Sequence, residues 1–479
     1  MERGRNCGQA GEPTVNCDPF VAACRAAGLG VATSPQDLEP WLVDWRKLYR
    51  GTACALVEPR TTAQVQTLVR LAAEHRVPLV PQGGNTSMVG GATPDASGAG
   101  AILSLRKLNC IRRLDPAAGL AVVEAGVILQ MLHEAAAAEG RRFPLTLGAR
   151  GSATIGGLIA TNAGGTQVLR FGPMRDLVLG VEAVLPNGEV YNGLTPLKKD
   201  NRGYDLDQLL IGSEGTLGVI TAATLKLPPA AIDVATAWLA VPSPGAALAL
   251  LRGFEQASGE AIESFELIPE RALTLVLKHI AGTRRPVEAR GPWHVLIDFV
   301  GPNARERLEA LLGDRLTAGA ITDALVSRSE AEAAALWRIR DAISEAERNE
   351  GPTLAHDISV AVDAMPAFME AARQAVEARF VGVTASAFGH LGDGNVHFHV
   401  SAPPGASSDW RARHGQEISQ FVYDLVTQAG GSISAEHGIG QMKRAELARL
   451  AEPARLNALR AIKAALDPLC IMNPGKLIP

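Results

Sequence analysis

The residues best placed for chemistry are histidines close to turns and carboxylates. One segment runs Gly389-His390-Leu391-Gly392-Asp393-Gly394-Asn395-Val396-His397-Phe398-His399-Val400. Gly-Asp-Gly-Asn is a turn signal. The residues after it alternate as a strand, so His397 and His399 share one face and Phe398 takes the other. His390 stands just before the turn and can fold back beside His397. Further along come Glu436 and His437. Two imidazoles and a carboxylate suit a borderline divalent metal such as Zn, Mn or Fe. Three protein ligands leave positions open for substrate oxygens, the pattern of a catalytic rather than a structural site. For any one histidine taken singly, a hydrogen-bonded place in the core is the commoner outcome; the grouping favours a metal. Arg340 and Ser344 are four apart in a helix expected over 329–348, hence on one face. An arginine beside a hydroxyl can hold a carboxylate by a forked pair. By itself, a solvated surface arginine is the commoner case. Cys110 and Cys470 have no nearby catalytic partner, and neither G-x-S-x-G nor a Ser/His/Asp arrangement occurs.

A second kind of chemistry lies in glycine-rich loops. Pro81-Gln82-Gly83-Gly84-Asn85-Thr86-Ser87-Met88-Val89-Gly90-Gly91 follows a buried strand expected at 77–81. Consecutive small residues there can turn backbone N–H groups into one concavity that suits a phosphate. The loop is neither a Rossmann G-x-G-x-x-G nor a P-loop with its lysine. A plain cluster of turns is the alternative. GARGSATIGGLIATNAGG (148–165) and GSEGTLG (212–218) are two further stretches of this kind. Three such loops within one region favour a large, phosphate-bearing cofactor.

The elements that must position these residues fall into two blocks. In the first, Thr61 and Thr62 start a helix carrying Val65, Leu68, Val69, Leu71 and Ala72 at helical spacing. Strands are expected at 101–105, 120–124 and 219–229, a helix at 127–139, and a hairpin at 177–193 around Asn187-Gly188. Pro228-Pro229 marks a boundary. The second block reads as strands at 234–240, 293–299, 320–326 and 394–400. Its helices are expected at 244–257, 303–313, 329–348, 365–379, 409–428 and 441–466. The expected organisation is an N-terminal segment 1–50, a domain 51–229 and a domain 230–479.

Composition narrows the class. The 479 residues are 47% hydrophobic and 20% charged, with net charge −4 and pI about 6.2. No Lys/Arg-rich run points to nucleic acid. No apolar stretch reaches the roughly 20 residues of a transmembrane helix. The N-terminus carries no signal-peptide pattern. The six cysteines, Cys7, Cys17, Cys24, Cys54, Cys110 and Cys470, fit no metal spacing and read as reduced thiols of a cytoplasmic chain; peripheral membrane association stays open.

Taken together, PQGGNTSMVGG, IGGLIATNAGG, GSEGTLGVI, GHLGDGNVHFHV, SAEHGIG and NPGK resemble, in order, the flavoproteins of the vanillyl-alcohol-oxidase superfamily. Within it the chain is similar to the D-2-hydroxyacid dehydrogenases of the D-2-hydroxyglutarate, D-lactate and glycolate-oxidase flavin-subunit type. The likeness covers about residues 40–479. It implies an α+β fold, with a PCMH-type FAD-binding domain and an FAD-linked oxidase C-terminal (cap) domain whose last part returns to the flavin. It places Pro81, Gly83, Gly84, Asn85, Thr86, Gly90, Gly148, Ser152, Gly157, Asn162, Gly165, Ile220 and Asn473 along FAD. The first loop has no His or Cys, so the flavin is expected to be non-covalent. His390, His397 and Glu436 look like ligands of a divalent metal, Zn first, with Mn or Fe as alternatives. His437 looks like the general base, Arg340 like the binder of the substrate carboxylate, and Ser344 stands where a Thr is usual. The implied partners are a small D-2-hydroxy acid and an electron acceptor: an electron-transfer flavoprotein, a quinone or a cytochrome. A homodimer stays open. Two departures stand out. Ala355 takes the place of a lysine ahead of His356-Asp357-Ile358-Ser359, and His399 takes the place of an asparagine. Losing the lysine weakens the case for 2-hydroxyglutarate itself, while His399 is a candidate partial substitute for the lysine or an extra metal ligand. An O2-using oxidase and a catalytically silent flavin subunit of a larger complex are the rival readings.

Overall fold

The computed structural model describes residues 17–197, 199–289 and 291–479. The chain divides into two units. Among the described residues, one comprises 17–164, 173–230 and 436–479; the other comprises 165–172 and 231–435.

The first unit holds two small sheets. In the four-stranded sheet, Ala101–Ser104 lies parallel between Ala55–Val57 and Leu79–Gln82, and Val31–Ala32 pairs antiparallel at the edge. The five-stranded antiparallel sheet centres on Val219–Lys226, flanked by Leu120–Glu124 and Val178–Val184. The helix Thr62–His75 begins where Thr61 accepts the N–H of Gln64, a side-chain cap. Its apolar stripe, Val65, Leu68, Val69 and Ala72, is fully buried against Leu79, Leu103 and Leu108. Each fully buried Val or Leu contributes about 1.5–3 kcal/mol relative to exposure, which fixes this helix on the sheet. The hairpin turns at Asn187-Gly188, where Gly188 takes a φ of 78°.

In the second unit one antiparallel sheet of seven strands carries the chemistry. In chain order these are β1 (Val234–Val241), β2 (Ile262–Pro269), β3 (Trp293–Val300), β4 (Asp323–Val326), β5 (Thr353–Ser359), β6 (Thr384–His390) and β7 (Asn395–Ser401). Their spatial order is β4-β1-β3-β2-β6-β7-β5. One face is apolar at Trp238, Leu296, Ile268 and Phe388, where α1 (Glu330–Asp341) and α2 (Ile343–Glu350) pack through Leu336, Ile339 and Ile343. The same face turns polar toward Glu266, His390, His397 and His399.

Several expectations change here. The helix expected over 329–348 is two helices, interrupted at Ala342 between Arg340 and Ser344. The one expected over 441–466 is also two, Arg444–Leu450 and Pro453–Leu466, restarting at a proline in the first turn. Strands β2, β5 and β6 and the helix Glu270–His279 were not foreseen. Cys470 is disulfide-bonded, against the expectation of six reduced thiols. Cys17, Cys24, Cys54 and Cys110 are free, and Cys7 lies outside the described residues.

Candidate functional site

Glu266 organises the polar face of the cap sheet. It is fully buried on β2, opposite His390 of β6. Arg340 Nε donates to Glu266 Oε2 at 2.6 Å, and His390 Nδ1 meets Glu266 Oε1. Burial pushes the Glu266 carboxyl up, but the charges of Arg340 and His390 outweigh it and hold the pKa at about 2. The arginine that sequence alone assigns to the solvent is therefore buried and paired. With His390 Nδ1 committed to a carboxylate, its Nε2 is left to face other partners, the usual arrangement of a metal-binding histidine. That Nε2 lies 3.4 Å from His397 Nε2 and 3.4 Å from Arg340 Nη2. Withdrawal from water, then the charges of Arg340 and His390, lower the His397 pKa well below its ordinary value. His397 is thus held neutral, the form that ligates metal. His390 and His397 bring two imidazoles side by side in the second unit, while Glu436 and His437 belong to the first. Two imidazoles with a carboxylate are a donor set that suits a divalent ion.

His399 sits two residues beyond His397 on the same face of β7. Its Nδ1 meets the buried carboxylate of Glu347 on α2. Ser344 is half-buried in the first turn of α2. His356 turns the other way. Its Nδ1 bonds the Phe398 carbonyl at 3.0 Å, its Nε2 bonds Ser419 Oγ at 2.9 Å, and the Tyr423 ring stands edge-on to it. It is a partnered core histidine.

In the first unit the glycine loops meet at very close range. A Cβ on Gly83 would stand 2.1 Å from Thr154 Oγ1, and one on Gly84 would stand 1.9 Å from the Ser152 carbonyl oxygen. Only glycine allows this approach. Beside it lies a cavity of about 210 Å³, lined by Gly84, Arg106, Asn109, Ser152 and Thr154 among others. Asn85 takes a φ of 56° and donates to the Val43 carbonyl. Asn162 caps its helix at a φ of 48° and accepts the N–H of Arg175. Ile220 is buried in the strand Val219–Lys226, and Pro81 in the strand Leu79–Gln82 is half-buried. Thr86, Gly148 and Gly157 lie in or beside the same loops, and no side chain or backbone atom comes within 4 Å of a Cβ built on Gly148. Gly90 takes a φ of 68° beside Tyr49. Gly165 falls in the second unit.

The C-terminal segment completes this unit. Asn473 Nδ2 donates to the carbonyls of Gly91 and Glu214, and the Asn473 N–H donates to Leu79. Glu214, at a φ of 52°, accepts the N–H groups of Ile439 at 2.7 Å and Gly440 at 2.8 Å. That pins the loop just after His437. Buried atoms Thr154 Oγ1, Asn473 Oδ1 and Gln82 Oε1 have no hydrogen-bond partner among the described residues. Such atoms beside a glycine cradle are what a polar cofactor would satisfy, so the residues fit FAD.

Sequence reasoning missed Glu266, Glu347, Asp357, Thr154 and Glu214. β2 is buried on both faces along nearly its whole length, so no apolar–polar alternation marks it, and Glu266 was missed with it.

The comparisons agree with this architecture. Residues 53–193 match the family described as FAD binding domain, and residues 231–477 match FAD linked oxidases, C-terminal domain. The chain belongs to the FAD-linked oxidases. It is 38% identical over 470 residues to the mitochondrial D-2-hydroxyglutarate dehydrogenase of Bos taurus, covering 97% of this chain and 84% of that one. It is 35% identical to the D-2-hydroxyglutarate dehydrogenase of Xanthomonas citri pv. viticola, covering 96% and 97%. Among solved structures, alkyldihydroxyacetonephosphate synthase shares the fold with a TM-score of 0.73 at 18% identity, covering 99% of this chain and 89% of that one. No helix among the described residues is long and apolar enough to cross a membrane.

Proposed function

We propose that this chain is an FAD-dependent dehydrogenase that oxidises a D-2-hydroxy acid to the 2-oxo acid and passes the electrons to a carrier. The observation that carries the reading is the joined array of Arg340, Glu266, His390 and His397 on one polar face. Arg340 keeps Nη donors for the substrate carboxylate while its Nε is spent on Glu266. His390, His397 and Glu436 would hold a divalent ion, which supplies Lewis acidity to the substrate hydroxyl. FAD, when bound along the glycine loops, supplies the hydride acceptor. His437 takes the hydroxyl proton; an imidazole has an ordinary pKa near 6.5, matched to that task at neutral pH. Arg340 and the ligand set fix the acid by two points, and a third contact at the base selects one enantiomer. A cytoplasmic site of action is part of the proposal.

The test is anaerobic flavin bleaching by D- and L-2-hydroxy acids, with and without a chelator. Bleaching by a D-acid alone, prevented by the chelator, is the expected result. His437→Ala is expected to abolish flavin reduction with FAD still bound; reduction near the normal rate would remove His437 from the mechanism. His390→Ala is expected to lose the metal, and a retained stoichiometric ion would overturn that ligand assignment.

A further inference from the structure

His399, Glu347 and Ser386 form a cluster that the chemistry above does not use. His399 lies two residues along β7 from His397, on the same face, so the two are about 6.6 Å apart along the strand. Directly opposite His399 stand Ser386 on β6 and Ala355 on β5. Glu347 reaches it from α2 above the sheet. Glu347 is 1% exposed and Ser386 4%. Glu347 Oε1 and Ser386 Oγ are both buried without a hydrogen-bond partner among the described residues. Buried acceptors of this kind are costly to leave unmade, and two around one side chain mark a place for a donor.

We propose that Glu347, His399 and Ser386 form a subsite for the tail of the substrate, and that it selects an uncharged tail bearing a hydroxyl or a carboxamide over one ending in a second carboxylate. The inference rests on the function proposed above and names its substrate class. The spacing from His397 corresponds to roughly two or three carbons beyond C2. The charge pattern sets the preference. Arg340 Nε is already taken by Glu266, and His399 Nδ1 is already taken by Glu347. Ala355 offers no cation. A second carboxylate would come to rest beside the Glu347 carboxylate, and like charges without water between them repel strongly. A hydroxyl or an amide N–H instead donates to Glu347 Oε1, and the hydroxyl or amide oxygen accepts from Ser386 Oγ.

The experiment compares kcat/KM of the flavin- and metal-loaded enzyme, with an artificial acceptor, for D-lactate, D-malate, D-2-hydroxyglutarate, D-2,4-dihydroxybutyrate and D-2-hydroxyglutaramate. The last two are expected to exceed the two dicarboxylates by at least about tenfold, mostly through KM. Glu347→Gln should shrink that ratio to near one. Ser386→Ala should weaken the hydroxyl- and amide-tailed acids and leave the dicarboxylates unchanged, which also covers the case of a Glu347 variant that fails to fold. D-2-hydroxyglutarate as the best substrate, or a ratio untouched in both variants, would overturn the subsite while leaving the dehydrogenase reading intact. If no D-2-hydroxy acid reduces the flavin, both fall.

Discussion

Glu266 faces Arg340 and His390, the histidine proposed as a metal ligand, at once, and a change there should be felt by both. Glu266→Gln keeps the size and removes the charge, leaving Arg340 buried without its counter-ion. Breaking such a pair costs about 3–5 kcal/mol. Loss of the carboxylate behind His390 should also weaken metal affinity by about 10- to 100-fold. Thermal melting and metal content by elemental analysis read these two effects separately. An unchanged metal content would deny Glu266 its role behind His390. Asp298 makes a different prediction, about pH. Burial raises its pKa from 3.8 to about 6, although Thr236 and Trp337 both donate to it. A carboxyl whose pKa is raised on folding binds its proton more tightly in the folded state. Its contribution is present in full below pH 3.8 and is lost as the pH rises through 6. Asp298→Asn cannot titrate, so the variant should gain stability relative to the parent between pH 4 and 7. Urea midpoints across that range check the sign.

Elements, unlike single residues, were partly legible beforehand. The strand expected at 394–400 and the Asn187-Gly188 hairpin rest on local signals, and the structure follows them closely, with the strand at Asn395–Ser401. The pairing of His390 with His397 also follows locally, because one tight turn joins β6 to β7. The partners from afar could not be read. Glu266 lies 124 residues from His390 and Glu347 lies 52 from His399; only the strand order and the covering helix bring them close. Arg340 was misplaced by residue-type statistics for the same reason, since its burial depends on a counter-ion from another strand. The meeting of the first two glycine loops was visible only as glycine content. Its geometry gives a prediction: Gly84→Ala would press a Cβ into the Ser152 carbonyl, so the two loops must part. The flavin-to-protein ratio after purification should fall well below one. A full complement of FAD would show that the contact does not shape the cradle.

At the scale of the whole molecule, the FAD unit is assembled from three separated stretches of chain. Its last stretch is not an appendage. Met472 bridges to Leu79, Asn473 satisfies three backbone groups or acts as their donor, and buried Lys463 binds Asp467 and the carbonyls of Thr216 and Met472. A chain ending at Ala435 should therefore give colourless, aggregation-prone protein, even though the three glycine loops of residues 81–218 are all present. Soluble yellow protein from that truncation would refute this.

The same arrangement sets a timetable during synthesis. At about 5–20 residues per second, a ribosome needs on the order of 12 to 50 seconds to go from Ala230 to Pro479. Throughout that interval the nascent flavin half has its strands but not the whole of the segment 436–479 that seals them. Cofactor capture is thereby postponed until the segment 436–479 has emerged, so free FAD and any chaperone must serve a chain whose second unit is already made.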